Sequence, residues 1–203
     1  MARSVRYTDP DSHAGSVLGA LLLAALLLAS LPAHADPRLM AAARGGDAEA
    51  AEHLGVMYET GSGVRRNEAE AAYWYGRAAQ AGRRQAQYAY AQFLETGAGI
   101  TRDEKAALEW HLKAACQGHL GAVANIAAML ASGRGTAMDR LSAYRLLLWA
   151  KEQRGQDSRK PQIQASLDAI GAGLRARERK AATPLDPSAL QTRLMPGRPL
   201  AQR

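Results

Sequence analysis

The sequence lacks covalent reinforcement. Its 203 residues include one cysteine, Cys116, so no internal disulfide is available. In an oxidising compartment a lone thiol must be buried or pair with another chain. Aromatic residues are scarce at 5%, with a single phenylalanine. That scarcity and the plentiful alanine imply helices packed closely through small side chains. Metal-ligand spacing is missing too. None of His53, His111 and His119 forms a His-x-x-x-His pair, so no metal and no cofactor is expected. Cys116 has no apparent acid–base partner and paired carboxylates do not stand out, which leaves no catalytic residues to nominate.

Acidic excess is lacking as well, and the positive balance is uneven. The formal net charge is +7. Residues 36–150 hold 13 Lys and Arg against 12 Asp and Glu, whereas residues 151–203 hold 11 against 5. A basic C-terminal quarter attracts acidic surfaces such as lipid head groups, nucleic acid or acidic proteins. The plainer reading is a solvated tail, and no nucleic acid partner is expected.

Only one long apolar run is present. Val17 to Leu31 is followed by Pro32 and by Ala33-His34-Ala35. Arg3 and Arg6 precede it, offset by Asp9 and Asp11. A basic start, an apolar stretch and an Ala-x-Ala site form a secretory signal peptide, expected over residues 1–35 with cleavage after Ala35. An uncleaved anchor is the alternative, since the uncharged stretch approaches the length of a membrane span. With the signal removed, no integral span is expected. No Cys lies at the cleavage site to carry a lipid anchor.

What the remainder has is a repeat. Gly61, Gly97 and Gly133 are 36 apart, as are Gly63, Gly99 and Gly135, and Gly46, Gly82 and Gly118. Trp74 and Trp110 keep the same step, as do Ala78-Ala79 and Ala114-Ala115. Each unit reads as two helices. In the first unit Asp47 caps a helix whose Ala50, Leu54, Met57 and Tyr58 share one face, and Gly61 ends it. Asn67 and Glu70 open the second helix, whose apolar stripe is Ala71, Trp74, Tyr75 and Ala78. The Gly-x-Gly pairs follow helices rather than strands, so they are turn residues and not a nucleotide loop.

Leu54-Gly55-x-x-Tyr58, Gly61-x-Gly63-Val64 and Ala71-x-x-Trp74-x-x-x-Ala78-Ala79-x-x-Gly82 resemble the Sel-1-like repeat family, relatives of tetratricopeptide repeats. Gly97-x-Gly99-Ile100 and Ala107-x-x-Trp110-x-x-x-Ala114-Ala115-x-x-Gly118 repeat the pattern. The resemblance spans about residues 37 to 155. It implies an all-α, right-handed solenoid that serves as an adaptor between proteins, often in envelope machinery for secreted bacterial members.

The expected layout is then a half-repeat cap over residues 36–46 and repeats over 47–82, 83–118 and 119–155. A capping helix is expected within 156–180, carried by Ile163, Leu167, Ile170 and Leu174, and a disordered basic tail over 181–203, where Pro184, Pro187, Pro196 and Pro199 come with few apolar residues. The candidate binding surface is the unpacked face of the first helices. Glu49, Glu52, Val56 and Glu59 share that face, and Gln85, Tyr88, Gln92 and Glu95 repeat it one unit later. Gly121, Ala124, Ala128 and Ala131 follow in the third unit. In tetratricopeptide relatives this face lines the concave groove; the other reading is an ordinary solvated face. The groove predicts a protein partner, a peptide or helix with basic residues at one end. Reversal of Glu52 and Glu59 to Lys is expected to weaken binding without unfolding. The functional expectation is a non-catalytic adaptor of the periplasm or exterior. The rival readings are a protein tethered by its basic tail to anionic lipid or polymer, and a cell-wall hydrolase.

Overall fold

A computed structural model describes residues 35–153 and 160–195. The expected signal segment lies outside the described residues but for Ala35, as does the end of the expected tail from residue 196. Residues 35–203 form a compact unit of their own. Among the described residues every regular element is a helix.

The elements are α1 Pro37–Arg44, α2 Ala48–Thr60, α3 Glu68–Gln80, α4 Arg84–Thr96, α5 Glu104–Cys116, α6 Leu120–Ser132 and α7 Arg140–Glu152. Then come α8 Lys160–Ala172, α9 Ala176–Ala181 and α10 Pro187–Leu194. From α1 to α8 each described helix packs on its neighbour in the chain, giving stacked helix-turn-helix pairs. The stack is an α-solenoid.

The 36-residue period is visible in the backbone itself. Asn67, Asp103 and Asp139 donate their N–H to Tyr58, Leu94 and Leu130 at 2.9, 2.9 and 2.8 Å. Asp47, Arg83 and His119 donate to Ala42, Ala78 and Ala114 at 3.1, 3.1 and 3.0 Å. The bond from Asp47 shows that α1 stands where the second helix of a preceding unit would stand. Gly61, Gly97 and Gly133 end the first helices at φ 77°, 78° and 75°, where a side chain would be strained.

The second glycine of each turn has a different task. A Cβ on Gly99 would overlap the backbone of Glu68 and Ala69, at the start of α3. One on Gly135 would overlap the backbone of Glu104, at the start of α5. Each turn thus rests on the second helix of the unit before it. At Gly63 the neighbour among the described residues is the Met57 methyl, at 3.4 Å from a Cβ.

The core falls into two clusters. The first runs from Ala35 to Phe93 and is built of alanines around Leu54, Trp74, Tyr75 and Phe93. The second runs from Leu94 to Leu190 and is built of Leu, Ile and Met, among them Leu112, Ile126, Met129 and Leu146. Tyr90, Ile100 and Trp110 pack against both. Trp74 is 2% exposed. Trp110, placed in the core by its spacing, is only half-buried. Its ring meets Tyr90 edge-on at 5.6 Å and Lys113 Nζ at 3.5 Å.

The C-terminal quarter differs from expectation. The capping segment is not one helix to residue 180. Its first part, α8, packs Ile163 and Leu167 against α7, the chain turns at Gly173–Arg175, and α9 follows. The tail read as disordered from residue 181 instead contains α10, which packs on α5. Leu190 is fully buried and Cys116 Sγ donates to Gln191 Oε1 at 3.2 Å. The prolines misled the reading. Pro187 occupies the first helical turn, where its missing N–H costs nothing, and Asp186 caps that turn by accepting from Ser188 N at 2.7 Å. Arg193 then reaches Asp139 at 2.6 Å.

Candidate interaction face

The predicted residues of α2 and α4 occupy one side of the stack, but much of their charge is spent internally. Glu52 is buried and takes Arg83 Nε at 2.5 Å; Arg83 also lies 3.7 Å from Glu49. Its guanidinium pKa is raised by the hydrogen bond to Glu52 and by the surrounding carboxylates. Glu59 accepts from Tyr75 Oη at 2.6 Å. Burial, and then that hydrogen bond, push the Tyr75 phenol far above its usual range. Glu95 pairs with Arg134, and His111 Nε2 lies 3.4 Å from it. Tyr88 is half-buried, accepts from Gln92 at 3.1 Å and stacks on His119 with ring centroids 4.1 Å apart. Gln85 lies 3.0 Å from His119 Nε2.

These contacts are one device used twice. Glu52 and Arg83 stand 31 residues apart, and so do Tyr88 and His119. The first pair bridges units one and two, the second bridges units two and three. Tyr75–Glu59 and His111–Glu95 are likewise the same two positions, 16 residues apart. The expected line of free negative charge is therefore reduced to Glu49 and Glu59 at its surface. Reversing Glu52 would strip Arg83 of a buried partner, so that change acts on folding as well as binding. What the face offers outward is Val56, 43% exposed, with exposed Gln85 and Gln92 and the edge of Tyr88.

Sequence reasoning missed Arg83, Arg134 and Asn125 and left His119 without a role; His111 falls by its spacing in the core slot of Tyr75 and Leu147, and it is buried there. Asn125 Nδ2 lies 3.3 Å from His111 Nε2. His111 is fully buried, and its Nδ1 lacks a hydrogen-bond partner. Burial drives its pKa down to about 4 against the opposing pull of Glu95. The signal that could have found Arg83 and His119 was the offset of 31, which pairs acid with base once and ring with ring next. Beside the first bridge, Glu52, Arg83, Arg84, Gln85 and Gln117 line a polar cleft of about 440 Å³. Cys116 is half-buried and its thiol pKa is raised by burial, the opposite of an activated nucleophile. Among the described residues no three His, Cys, Asp or Glu side chains gather to hold a metal, and no helix is long and apolar enough to cross a membrane.

The Sel1 repeat family profile matches residues 48–82 and 84–119. The third unit carries the same helix pair and backbone bonds without a match, in keeping with its loss of the Trp and of the apolar residue after Gly-x-Gly. A Sel1 repeat protein from Oxalobacter formigenes is similar at 29% identity and a TM-score of 0.54, over 63% of this chain and 96% of that one. A protective antigen of uropathogenic Escherichia coli with an SLR fold aligns over 81% of this chain and 44% of its own length. Its 18% identity and TM-score of 0.51 speak to the fold alone. No curated protein matches. Proteins built of Sel1 repeats generally mediate protein–protein interaction, and their fold is typically a non-catalytic scaffold. With three helix pairs at a 36-residue step, two of them matched by the profile, the chain is a Sel1-like repeat protein.

Proposed function

We propose that the protein is a non-catalytic exported adaptor, working in the periplasm or outside the cell, that holds a peptide or helix of an envelope protein on the face of α2, α4 and α6. The observation that carries this reading is the division of labour on that face. Its charged groups are tied into bridges between units, which hold the helices in register. Its exposed remainder, Val56, Gln85, Gln92 and the edge of Tyr88, is neutral and shaped for a side chain to lie against. Tyrosine is enriched in binding hot spots. A partner would then use apolar and amide contacts along the face, with a basic residue near Glu49 and Glu59.

Export is supported by the apolar run and the Ala-x-Ala site. Asp36, the first residue after that site, is the N-cap of α1 and accepts from Arg38 N at 2.8 Å. N-terminal sequencing of the cellular form tests this part: Asp36 is expected first, and an intact Met1 on exported protein overturns it. Photocrosslinkers at Val56 and Gln92 test the face. Both are expected to trap the same partner in its own envelope, with crosslinkers at Glu68 and Lys105 leaving it untouched. Equal capture from all four positions would sink the assignment.

A further inference from the structure

Among the described cations without a carboxylate ion pair, those of the earlier units, Arg38, Arg44, Arg65, Arg77, Arg84 and Lys105, are dispersed along the chain, whereas those of α7 and α9 gather about one cleft. Arg66, Arg83, Arg102 and Arg134 each sit against a carboxylate, on Glu68, Glu52, Glu104 and Glu95. Arg140, Arg145, Arg175, Arg177, Arg179 and Lys180 have no carboxylate partner among the described residues. Three of them are held by contacts within the fold. Arg145 Nε donates to Thr183 O at 2.8 Å, and Arg179 Nη1 to Gly171 O at 2.7 Å. The Arg140 side chain lies along Gly173, where a Cβ would come within 3.3 Å of it. A cleft of about 550 Å³ between α7 and α9 is lined by Leu141, Arg145, Arg177, Glu178, Ala181 and Thr183, among others.

Two of the four exposed large apolar side chains of the described residues adjoin this charge. Met138 is 58% exposed and Leu141 37%. Contacts within the fold account for Arg140, Arg145 and Arg179 but not for Arg175, Arg177 and Lys180. Four cations within six residues of a short helix region repel one another, and α9 buries no residue in return. Unpaired Lys and Arg beside protruding apolar side chains are the two features that an anionic bilayer surface rewards. An acidic peptide fits less well. Glu178 stands in the cleft where an acidic side chain would enter.

We propose that the basic face of α7 and α9, with Met138 and Leu141, docks on the surface of an anionic phospholipid bilayer. This is a second surface, independent of the α2–α4–α6 face, and it relies on folded residues rather than on the extreme C-terminus.

The test is co-sedimentation of residues 35–203, the compact unit described above, with vesicles of phosphatidylglycerol and phosphatidylcholine in equal parts. Vesicles of phosphatidylcholine alone are the comparison. Binding is expected to the first and not the second, and to be released by high salt. Changing Arg175, Arg177, Arg179 and Lys180 together to Gln should lower the partition coefficient by roughly tenfold or more, given the contribution of each cation near a charged surface. Changing Arg38, Arg44, Arg65 and Arg77 to Gln removes the same charge elsewhere and should alter it less than about twofold. Replacing the three arginines of 175–179 by Lys keeps the charge and should preserve binding, which guards against simple loss of fold. Met138→Ser with Leu141→Ser should weaken binding at all salt concentrations. Equal loss in the two Gln sets would reduce the effect to net charge and overturn the proposal. So would equal binding to neutral vesicles, loss in the Lys set, or retention on polyglutamate without any binding to the anionic vesicles.

Discussion

The two bridges between units use the same positions and opposite chemistry. Between units one and two, Glu52 meets Arg83 across an ion pair; between units two and three, Tyr88 lies flat on His119. About two helical turns further along the first helix of each unit, Tyr75 donates to Glu59 in the first unit, whereas buried His111 faces Glu95 in the second. The cores differ in parallel, alanine and rings in the first cluster, Leu, Ile and Met in the second. A solenoid needs only that neighbouring units fit, so each junction can be solved separately. The difference teaches that backbone period and side-chain chemistry are set independently here. The turns fix the step, and the bridges decide how each junction responds to acid, salt and mutation.

The largest expected difference is in the two tryptophans. Trp74 is almost fully buried and its Nε1 donates to Glu70 Oε2 at 3.1 Å. Trp74→Ala should cost about 3–5 kcal/mol, the range for a large core side chain. Trp110 is half-buried, so Trp110→Ala should cost roughly 2 kcal/mol, since less apolar area returns to water. Urea denaturation of the two variants measures this. Equal midpoints would erase the distinction between the first cluster and the seam it shares with the second.

Acid should separate the junctions next. His111 titrates at about 4 when folded, because burial disfavours its charged form, against about 6.5 when unfolded. The unfolded chain therefore binds more protons between those values. The stabilising contribution is complete above pH 6.5 and is lost as pH falls towards 4, to the extent of roughly 3 kcal/mol. Of the groups around the ring, Glu95 offsets part of the burial penalty, His119 and Arg134 add to it, and Tyr88 and Asn125 are neutral. His111→Leu, the residue type at Leu147 one unit on, should flatten the melting temperature over that window. An unchanged pH dependence in that variant would exclude His111 as its source.

Much of this was readable in the sequence and some was not, for identifiable reasons. The turns were readable because left-handed and closely approached backbone leaves few alternatives to glycine, and the caps because Asp and Asn at helix starts satisfy N–H groups. The α2 and α4 faces were readable from helical spacing. Which of their charges were free was not, because Arg83 lies 31 residues from Glu52 and meets it only after the units stack. Composition misplaced α10. Four prolines and few apolar residues read as disorder, yet Leu190 needs only one matching hollow on α5, and Pro187 starts the helix rather than breaking it.

That misplaced helix supplies the third contrast. Gln80 at the end of α3 is exposed, whereas Cys116, its equivalent on α5, lies half-buried beneath α10. Leu190→Ala should therefore cost about 2 kcal/mol, the low end for a buried leucine at the edge of a structure. It should also speed the reaction of Cys116 with a thiol reagent, since α10 then opens more often. Deletion of residues 184–203 should do both more strongly. Slow labelling after that deletion would mean that α10 does not shield the thiol.

The smallest effect concerns the bridges themselves, and salt reads it. The Glu52–Arg83 pair is charged, and its arginine reaches solvent, with 42% of the side chain exposed. Exposed charge is screened by ions, whereas a stacked ring pair is held by contact that ions hardly alter. A double-mutant cycle on Glu52→Gln and Arg83→Gln should give a coupling that shrinks steadily between low and high salt. The cycle on Tyr88→Leu and His119→Leu should give a coupling that salt leaves in place at neutral pH. Gln is chosen at the first junction to keep shape and remove charge, and Leu at the second to keep bulk and remove the ring faces. Should both couplings fall together with salt, the second junction is electrostatic after all. Should neither move, Glu52 and Arg83 are held by packing, and the two junctions share one physics behind different side chains.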